Sequence, residues 1–256
     1  MRLAAQLYTL RNYTKTLDGF AETLKKVAQI GYKIVQVSGT CDYEADWLRE
    51  QLQNNGLSCC LTHINPKKLQ KQTAQVIREH EMFDCRYIGI GSLPDLWSRE
   101  TDAAMEDFIR DYKPVAQRIA QNGHYLSYHN HDLEFEKAAD GRIYLEHLEQ
   151  AFRPAEMGFT IDTYWVQSGG GDAAYWIQRL SGRVPCVHLK DMVFSRRDGR
   201  LMTPVGSGNI NFESILQACA DAGTEYAIVE QDDCYGEDPF QCLKQSYQYL
   251  TAKGLK

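Results

Sequence analysis

The stretch SYHNHDLEFE, residues 127–136, places His129, His131, Asp132, Glu134 and Glu136 within ten positions, with apolar residues between them. Imidazoles and carboxylates bind borderline divalent ions and move protons near neutral pH. Three later segments carry the same chemistry: FTIDTYW contains Asp162, CVHLKD contains His188, and AIVEQD contains Glu230. Together Glu134, Asp162, His188 and Glu230 offer three carboxylates and one imidazole, which suits Mn²⁺, Co²⁺, Zn²⁺, Fe²⁺ or Mg²⁺ and favours a hard or borderline ion over a soft one. Such a site leaves open positions where adjacent substrate oxygens can chelate. The ion would then act as a Lewis acid on a carbonyl and stabilise an enediolate. A carboxylate on each side of the substrate could remove a proton from one carbon and return it. Taken singly, each residue has a plainer explanation. Asp162 reads as a helix N-cap, His188 as a hydrogen-bonded buried histidine, and Glu230 as a carboxylate in need of a partner after the buried run YAIV. Three such residues ending three consecutive strand-like runs are harder to explain one at a time.

The elements that must position them follow a regular beat. Eight β-like runs occur: LAAQLY (3–8), IVQVSG (34–39), LSCCLTHI (57–64), YIGIGS (87–92), YLSYHNH (125–131), MGFTID (157–162), PCVHLKD (185–191) and AIVEQD (227–232). Their starts are separated by 31, 23, 30, 38, 32, 28 and 42 residues, the spacing of βα units, and eight such units close a barrel. Amphipathic helical stretches lie between them. TLDGFAETLKKVAQIG spaces Leu17, Phe20, Leu24, Val27 and Ile30 at helical steps and ends on Gly31; FESILQACADAG does the same and ends on Gly223. DAAMEDFIRDYKPVAQRIAQNG reads as a long helix that Pro114 could kink. DAAYWIQRL and FQCLKQSYQYLTAKG complete the set. The segment SRRDGRLMTPVGSGNINF is long for a βα loop and reads as a lid on the catalytic face; no G-K-[ST] follows its glycines, so it is not a P-loop. No linker divides the chain. The expectation is a single-domain α/β protein, a (β/α)8 TIM barrel over residues 1–256. The polar strand ends, from Gln6 and Tyr8 round to Glu230 and Asp232, would then converge on one face.

Composition narrows the classes. A chain of 256 residues with 43% hydrophobic and 24% charged residues can bury a sizeable core without disulfides. Its eight cysteines form no C-x-x-C pair and several sit in apolar runs, as small buried hydrophobes in a reducing compartment. A formal net charge of −6 disfavours a nucleic-acid surface. No run approaches the roughly 18 apolar residues of a membrane span, and the N-terminus lacks a signal-peptide h-region. The expected location is the cytoplasm, with no nucleic-acid or membrane partner; self-association into a homo-oligomer stays open.

With IDTYW, VHLKD, VEQD, YHNHDLEF and the opening AAQLYTLR in hand, the chain resembles the sugar phosphate isomerase/epimerase group of the xylose isomerase-like TIM barrels over nearly its whole length. The resemblance implies one divalent ion, Mn²⁺ favoured, held by a Glu, an Asp, a His and a Glu on strands five to eight, with the two glutamates as the proton-transfer pair. Asp162 matches the Asp, His188 the His and Glu230 the last Glu. The first position departs: many members carry Glu-Asn-His, and here the run is His129-Asn130-His131. Either His129 is a ligand, or Glu134 reaches back from the loop. Glu134 is favoured, since carboxylate is the family's ligand type there and three intervening residues give the reach. Gln36 stands where relatives often carry a Glu, which weighs against a second or third ion.

Around this set, His129 and His131 share a strand face and would line the substrate, as proton carriers beside Glu134 and Glu230. Lys190 shares a face with His188; it would bind a substrate oxyanion or hydroxyl, or else pair with Asp191 or Asp232. His63 could hydrogen-bond a sugar hydroxyl, Trp165, Tyr164 and Tyr8 could supply aromatic faces, and Gln6 ends the first strand on the same rim. Asp132 and Glu136 are expected to face solvent. The implied activity is a divalent-metal-dependent isomerase or epimerase acting on a keto- or aldo-sugar or related polyol derivative, by proton abstraction alpha to a carbonyl. Two alternatives remain: a lyase performing β-elimination on a 3-keto-glycoside or keto-inositol, and, from another class, a phosphodiesterase like endonuclease IV. The acidic balance and Gln36 count against the last.

Overall fold

The structure is a computed structural model and describes residues 1–94 and 101–256. Eight parallel strands close a barrel: β1 (Arg2–Gln6), β2 (Ile34–Val37), β3 (Ser58–His63), β4 (Tyr87–Ile90), β5 (Tyr125–His129), β6 (Met157–Asp162), β7 (Cys186–Leu189) and β10 (Tyr226–Val229). Strand β10 pairs with β1 to seal the ring, Arg2 opposite Tyr226 and Ala5 opposite Val229. All eight lie where the periodicity places them, mostly ending one to three residues earlier. The polar residues beyond each strand therefore belong to the loops at its carboxyl end.

Between the strands run α1 (Leu17–Ile30), α2 (Ala45–Asn54), α3 (Pro66–Lys71), α4 (Thr73–Met82), α5 (Thr101–Gln121), α6 (Tyr144–Ala151), α7 (Thr163–Ser168), α8 (Ala173–Arg179), α9 (Phe212–Ala222) and α10 (Pro239–Ala252). Helix α1 is started by Thr16, whose hydroxyl accepts from Gly19 N at 3.2 Å, and it buries Phe20, Thr23, Leu24 and Val27. Helix α9 is capped by Asn211, and α10 by Asp238 with Pro239 in its first turn. Helix α5 continues through Pro114 without interruption. Helices α2, α3, α4 and α6 are short, with one to four buried residues each, too few to announce themselves by periodicity. The segment after β7, expected as a lid, forms an antiparallel hairpin, β8 (Asp191–Ser195) with β9 (Gly199–Thr203).

The alternation of strand side chains sorts the interior into layers. A small apolar cluster of Ala4, Ile34, Cys60, Leu61, Tyr87, Cys186 and Ile228 is separate from the main core between strands and helices. Two residues further along the same strands stand Gln6, Gln36, His188 and Glu230, on the same faces and all buried. The apolar layer thus forms a floor beneath the polar one. All eight cysteines are unpaired, six of them buried, as expected of small hydrophobes. No helix among the described residues is long and apolar enough to cross a membrane.

One buried carboxylate ties the outer layer together. Glu156, 2% exposed, accepts from Arg153 N at 3.0 Å, Arg153 Nη2 at 2.6 Å and Gln117 Nε2 at 3.0 Å, joining α5 to the turn before β6. The Arg153 hydrogen bonds, chiefly, hold its carboxyl down to about 2. Because the folded value lies below the unfolded one, this contribution is present above roughly pH 4.5 and is lost as pH falls towards 2. Glu156→Gln is expected to cost about 1–2 kcal/mol at pH 7, discounted for the exposed Arg153. Urea denaturation of both proteins at pH 7 and pH 2.5 checks this: the gap should shrink at the lower pH.

Candidate active site

The carboxyl ends of the strands surround a cavity of about 500 Å³ lined by residues that include Tyr8, His63, His129, His131, Trp165, Lys190, Glu230 and Asp232. At its base His129, Asp162, His188 and Glu230 converge, all buried, with one nitrogen or oxygen of each within 4.8 Å of the others. Four consecutive barrel strands deliver them: β5, β6 and β7 carry the first three, and Glu230 follows β10 directly.

Each is held by a specific partner. Asp162 does two jobs at once. Its Oδ1 caps α7 by accepting from Trp165 N at 3.0 Å, while Oδ2 faces the cluster; its own N–H donates to Asn130 Oδ1 at 3.0 Å. The cap reading and the cluster reading of this residue are therefore compatible. His129 Nδ1 lies 3.0 Å from the Gly91 carbonyl, so that nitrogen carries a proton, and Nε2 is turned to Asp162 Oδ2 at 3.3 Å. His188 Nε2 lies 2.6 Å from Gln36 Oε1, which leaves Nδ1 facing Glu230 Oε2 at 3.0 Å and Asp162 Oδ2 at 3.7 Å. The spacing of His188 Nδ1 and Glu230 Oε2 is close, but neither atom has a partner in hydrogen-bond geometry.

This pattern fits a divalent cation. Both imidazoles commit their outer nitrogens as donors and turn the inner ones onto carboxylate oxygens, an unfavourable pairing of lone pairs unless a proton or a cation stands between them. Orphaned polar atoms at the same point, a mixed nitrogen and oxygen donor set, and complete burial are what a divalent ion satisfies.

The charges gathered here shift several of these groups. Burial acts to lower the His188 imidazolium, but the Glu230 and Asp162 carboxylates outweigh it and push the group up to about 9. Burial acts to raise Glu230, yet the Lys190 ammonium, followed by His188, holds it well below the usual carboxylate range. His131 is pushed down to about 3, first by burial and then by His129 and Lys190. His63 is lowered by burial and by the neighbouring imidazoles. Its ring lies 5.3 Å from His129 and 5.7 Å from His188. Gly89 and Gly91 make room for it, since a Cβ at either would come within 2.8 Å of the imidazole.

The structure does not bring Glu134 into this group, and the preference for it over His129 as fourth member is corrected. Its carboxylate turns under its own loop, accepting from Tyr128 OH at 2.5 Å and from His131 N at 2.7 Å. The physical reason is local: the turn at 130–134 would otherwise leave a buried hydroxyl and a buried N–H unpaired. Burial raises its carboxyl. Asp132 is not free either; its Oδ2 accepts from Ser168 Oγ at 2.9 Å. Gln6 is fully buried, caps the turn at Tyr8 through Oε1, and does not reach the cavity wall.

Tyr8, His63, His131, Trp165 and Lys190 do line the cavity; Tyr164 packs instead against Met192 and Met202. Lys190 belongs to neither of the two simple alternatives. It pairs with Asp232 at 3.0 Å, as one of them held, and also with Asp162 at 3.0 Å and Glu230 at 2.7 Å, whereas Asp191 is turned away. Two residues take positioning roles that the sequence did not assign to them: Gln36 orients His188, and Asn130 holds the Asp162 backbone. Gln36 in a buried strand is a polar residue with no visible partner, and that was the available signal.

A closed parallel barrel with imidazoles and carboxylates gathered at its carboxyl ends defines an α/β barrel with a polar, ion-compatible centre. Residues 24–252 match the family model for the xylose isomerase-like TIM barrel, and the chain belongs to that family. No curated protein matches it in sequence. Among solved structures, a sugar phosphate isomerase/epimerase from Parabacteroides distasonis superposes with a TM-score of 0.79 at 19% identity, covering 98% of this chain and 93% of that one. A probable 3-DHS dehydratase, AsbF, from Bacillus anthracis gives 0.74 at 16% identity, covering 98% and 99%. A D-allulose 3-epimerase from Methylomonas sp. gives 0.73 at 12%, covering 99% and 98%. At these identities the likeness is one of fold.

Proposed function

We propose that this chain is a divalent-metal-dependent isomerase or epimerase acting on a keto- or aldo-sugar or a related polyol derivative. The observation that carries the reading is the convergence of His129, Asp162, His188 and Glu230 at the base of an open cavity lined by aromatic and hydrogen-bonding side chains. The proposed ligands are those four residues. A bound divalent ion would polarise a substrate carbonyl and stabilise the negative charge that develops on deprotonation of the neighbouring carbon. Glu230 is the base: it lines the cavity and is ionised at neutral pH under the influence of Lys190 and His188. His131, neutral and against the Trp165 ring at 5.2 Å, stands beside the substrate space as the second proton-handling group. Trp165 and Tyr8 provide aromatic surface for a sugar face, and His63 a hydroxyl partner.

One observation favours a second reading. Glu134, the carboxylate expected to oppose Glu230, is bonded to Tyr128 and does not line the cavity among the described residues, where the imidazoles of His63, His129 and His131 stand with Asp232. A carboxylate base with an imidazole partner suits β-elimination, in which a proton leaves one carbon and a leaving group departs from the next. Incubating the Mn²⁺-loaded protein in D₂O with free keto- and aldo-sugars and with 3-keto-glycosides separates the readings. Isomerisation or epimerisation returns an isomer carrying one deuteron on carbon. Elimination releases the leaving group and an unsaturated ketone. No exchange and no elimination on any of them, with the ion bound, would remove both.

A further inference from the structure

We infer that Lys190 is a resident counter-cation of the ion site, which an entering divalent ion must displace onto Asp232. The inference rests on the metal-site reading above and concerns this chain's own residues. Lys190 is 1% exposed, and its Nζ lies 3.0 Å from Asp162 Oδ2, 2.7 Å from Glu230 Oε2 and 3.0 Å from Asp232 Oδ2. The first two oxygens are those on which His129 and His188 also converge. Without a positive charge, two fully buried carboxylates so close together would be strongly destabilising. The ammonium supplies that charge in the metal-free protein.

The same position is the one a divalent ion needs. Metal–oxygen bonds of about 2.0–2.2 Å to those two oxygens would put the ion less than about 5 Å from Nζ, as the sum of the two contacts requires. Two cations at that separation in a buried site repel strongly, and they compete for the same lone pairs.

The geometry also shows where the ammonium goes. Of its three carboxylate contacts, the one to Asp232 has hydrogen-bond geometry, whereas Glu230 Oε2 has no hydrogen-bond partner at all despite its 2.7 Å distance from Nζ. Asp232 stands at the cavity edge with its side chain 22% exposed, and both it and Lys190 line the cavity. The Trp165 ring, 5.4 Å from Nζ, flanks the route and favours the cation throughout. Lys190 and Asp232 are thus positioning residues that set ion affinity: the lysine opposes entry and the aspartate receives the lysine.

The test is Co²⁺ binding to the whole, chelator-stripped chain at neutral pH and fixed salt, read by calorimetry and by the visible absorption of the bound ion, with no substrate. Lys190→Met is expected to bind Co²⁺ about 10- to 100-fold more tightly than the wild type, an increase that mere structural damage would not produce. Asp232→Asn is expected to bind less tightly, and its effect should largely vanish in the Lys190→Met background. Equal or weaker binding by a folded Lys190→Met, or an undiminished Asp232→Asn effect in the double variant, overturns the inference while leaving the metal site standing. Binding by neither wild type nor variant removes the metal-site reading as well. Should Lys190→Met fail to fold, a crystal structure of the Co²⁺-loaded wild type decides: Nζ must have left Asp162 and Glu230 for Asp232. Nζ still within hydrogen-bond distance of both, with the ion in place, overturns the inference.

Discussion

Replacing Glu230 by Gln is expected to slow solvent proton exchange into the substrate by about 10²–10⁴-fold, the usual worth of a positioned general base. The amide keeps the shape of the side chain and removes its charge. Three consequences follow from one change. The base is lost; the ion site loses one of its two carboxylates; and Lys190, 2.7 Å away, keeps only Asp162 and Asp232. The isotope-exchange rate at saturating Mn²⁺ isolates the first consequence, and Co²⁺ affinity isolates the second. A variant that exchanges within about threefold of the wild type at full ion occupancy would sink the assignment of Glu230 as the base. His129→Gln makes a useful contrast: if His129 is a ligand and not the base, its loss should weaken ion binding more than it slows exchange once the ion is saturating.

The largest expected effect on stability falls on Asp191. Its Oδ2 accepts from Gly206 N at 2.9 Å and Gly208 N at 2.8 Å, and its Oδ1 from Met192 N at 2.8 Å and Ile210 N at 3.2 Å. One fully buried carboxylate thereby satisfies four backbone donors, pinning the start of the hairpin and the glycine turn before α9. The backbone comes so close that a Cβ at Gly208 would lie 2.4 Å from Asp191 Oδ1. Burial pushes the Asp191 carboxyl up, against the opposing pull of those N–H groups, so the value of the side chain lies in its acceptors more than in its charge. Asp191→Ala orphans all four donors and is expected to cost about 3–5 kcal/mol. Asp191→Asn, which keeps one amide oxygen able to take two donors, should recover roughly half. Urea denaturation at pH 7 measures both. An alanine variant within about 1 kcal/mol of the wild type would mean that water or a rearranged turn replaces the carboxylate. Because Asp191 follows Lys190 directly, a drop in Co²⁺ affinity accompanying the loss of stability would show that the turn also helps to set the lysine.

The barrel was legible because it is written in local, repeating signals. An apolar run of four to six residues, a helical stretch, and the next run recur along the whole chain, and strand β6 falls on the residues the pattern marks, Met157–Asp162. Asp162, His188 and Glu230 could be singled out for the same reason: each is a chemically capable residue at the end of such a run, and a parallel barrel brings all such ends to one face. The hairpin after β7 was not legible, since SRRDGR carries turn residues but its flanks are too short and mixed to alternate cleanly.

What the sequence could not decide was which of His129 and Glu134 joins the cluster, and what Lys190 touches. Glu134 has the right chemistry and enough reach, but its direction depends on Tyr128 and the His131 N–H, buried donors whose position exists only once the turn is folded. Lys190 touches three carboxylates from two other strand ends, Asp162 after β6 and Glu230 and Asp232 after β10, 28, 40 and 42 residues away in sequence by the difference of their numbers. Spacing and residue type are properties of the chain and determine the layers of the barrel. The pairing of a buried polar group is a competition among all partners within about 3 Å, and only the closed ring of strands determines who those partners are.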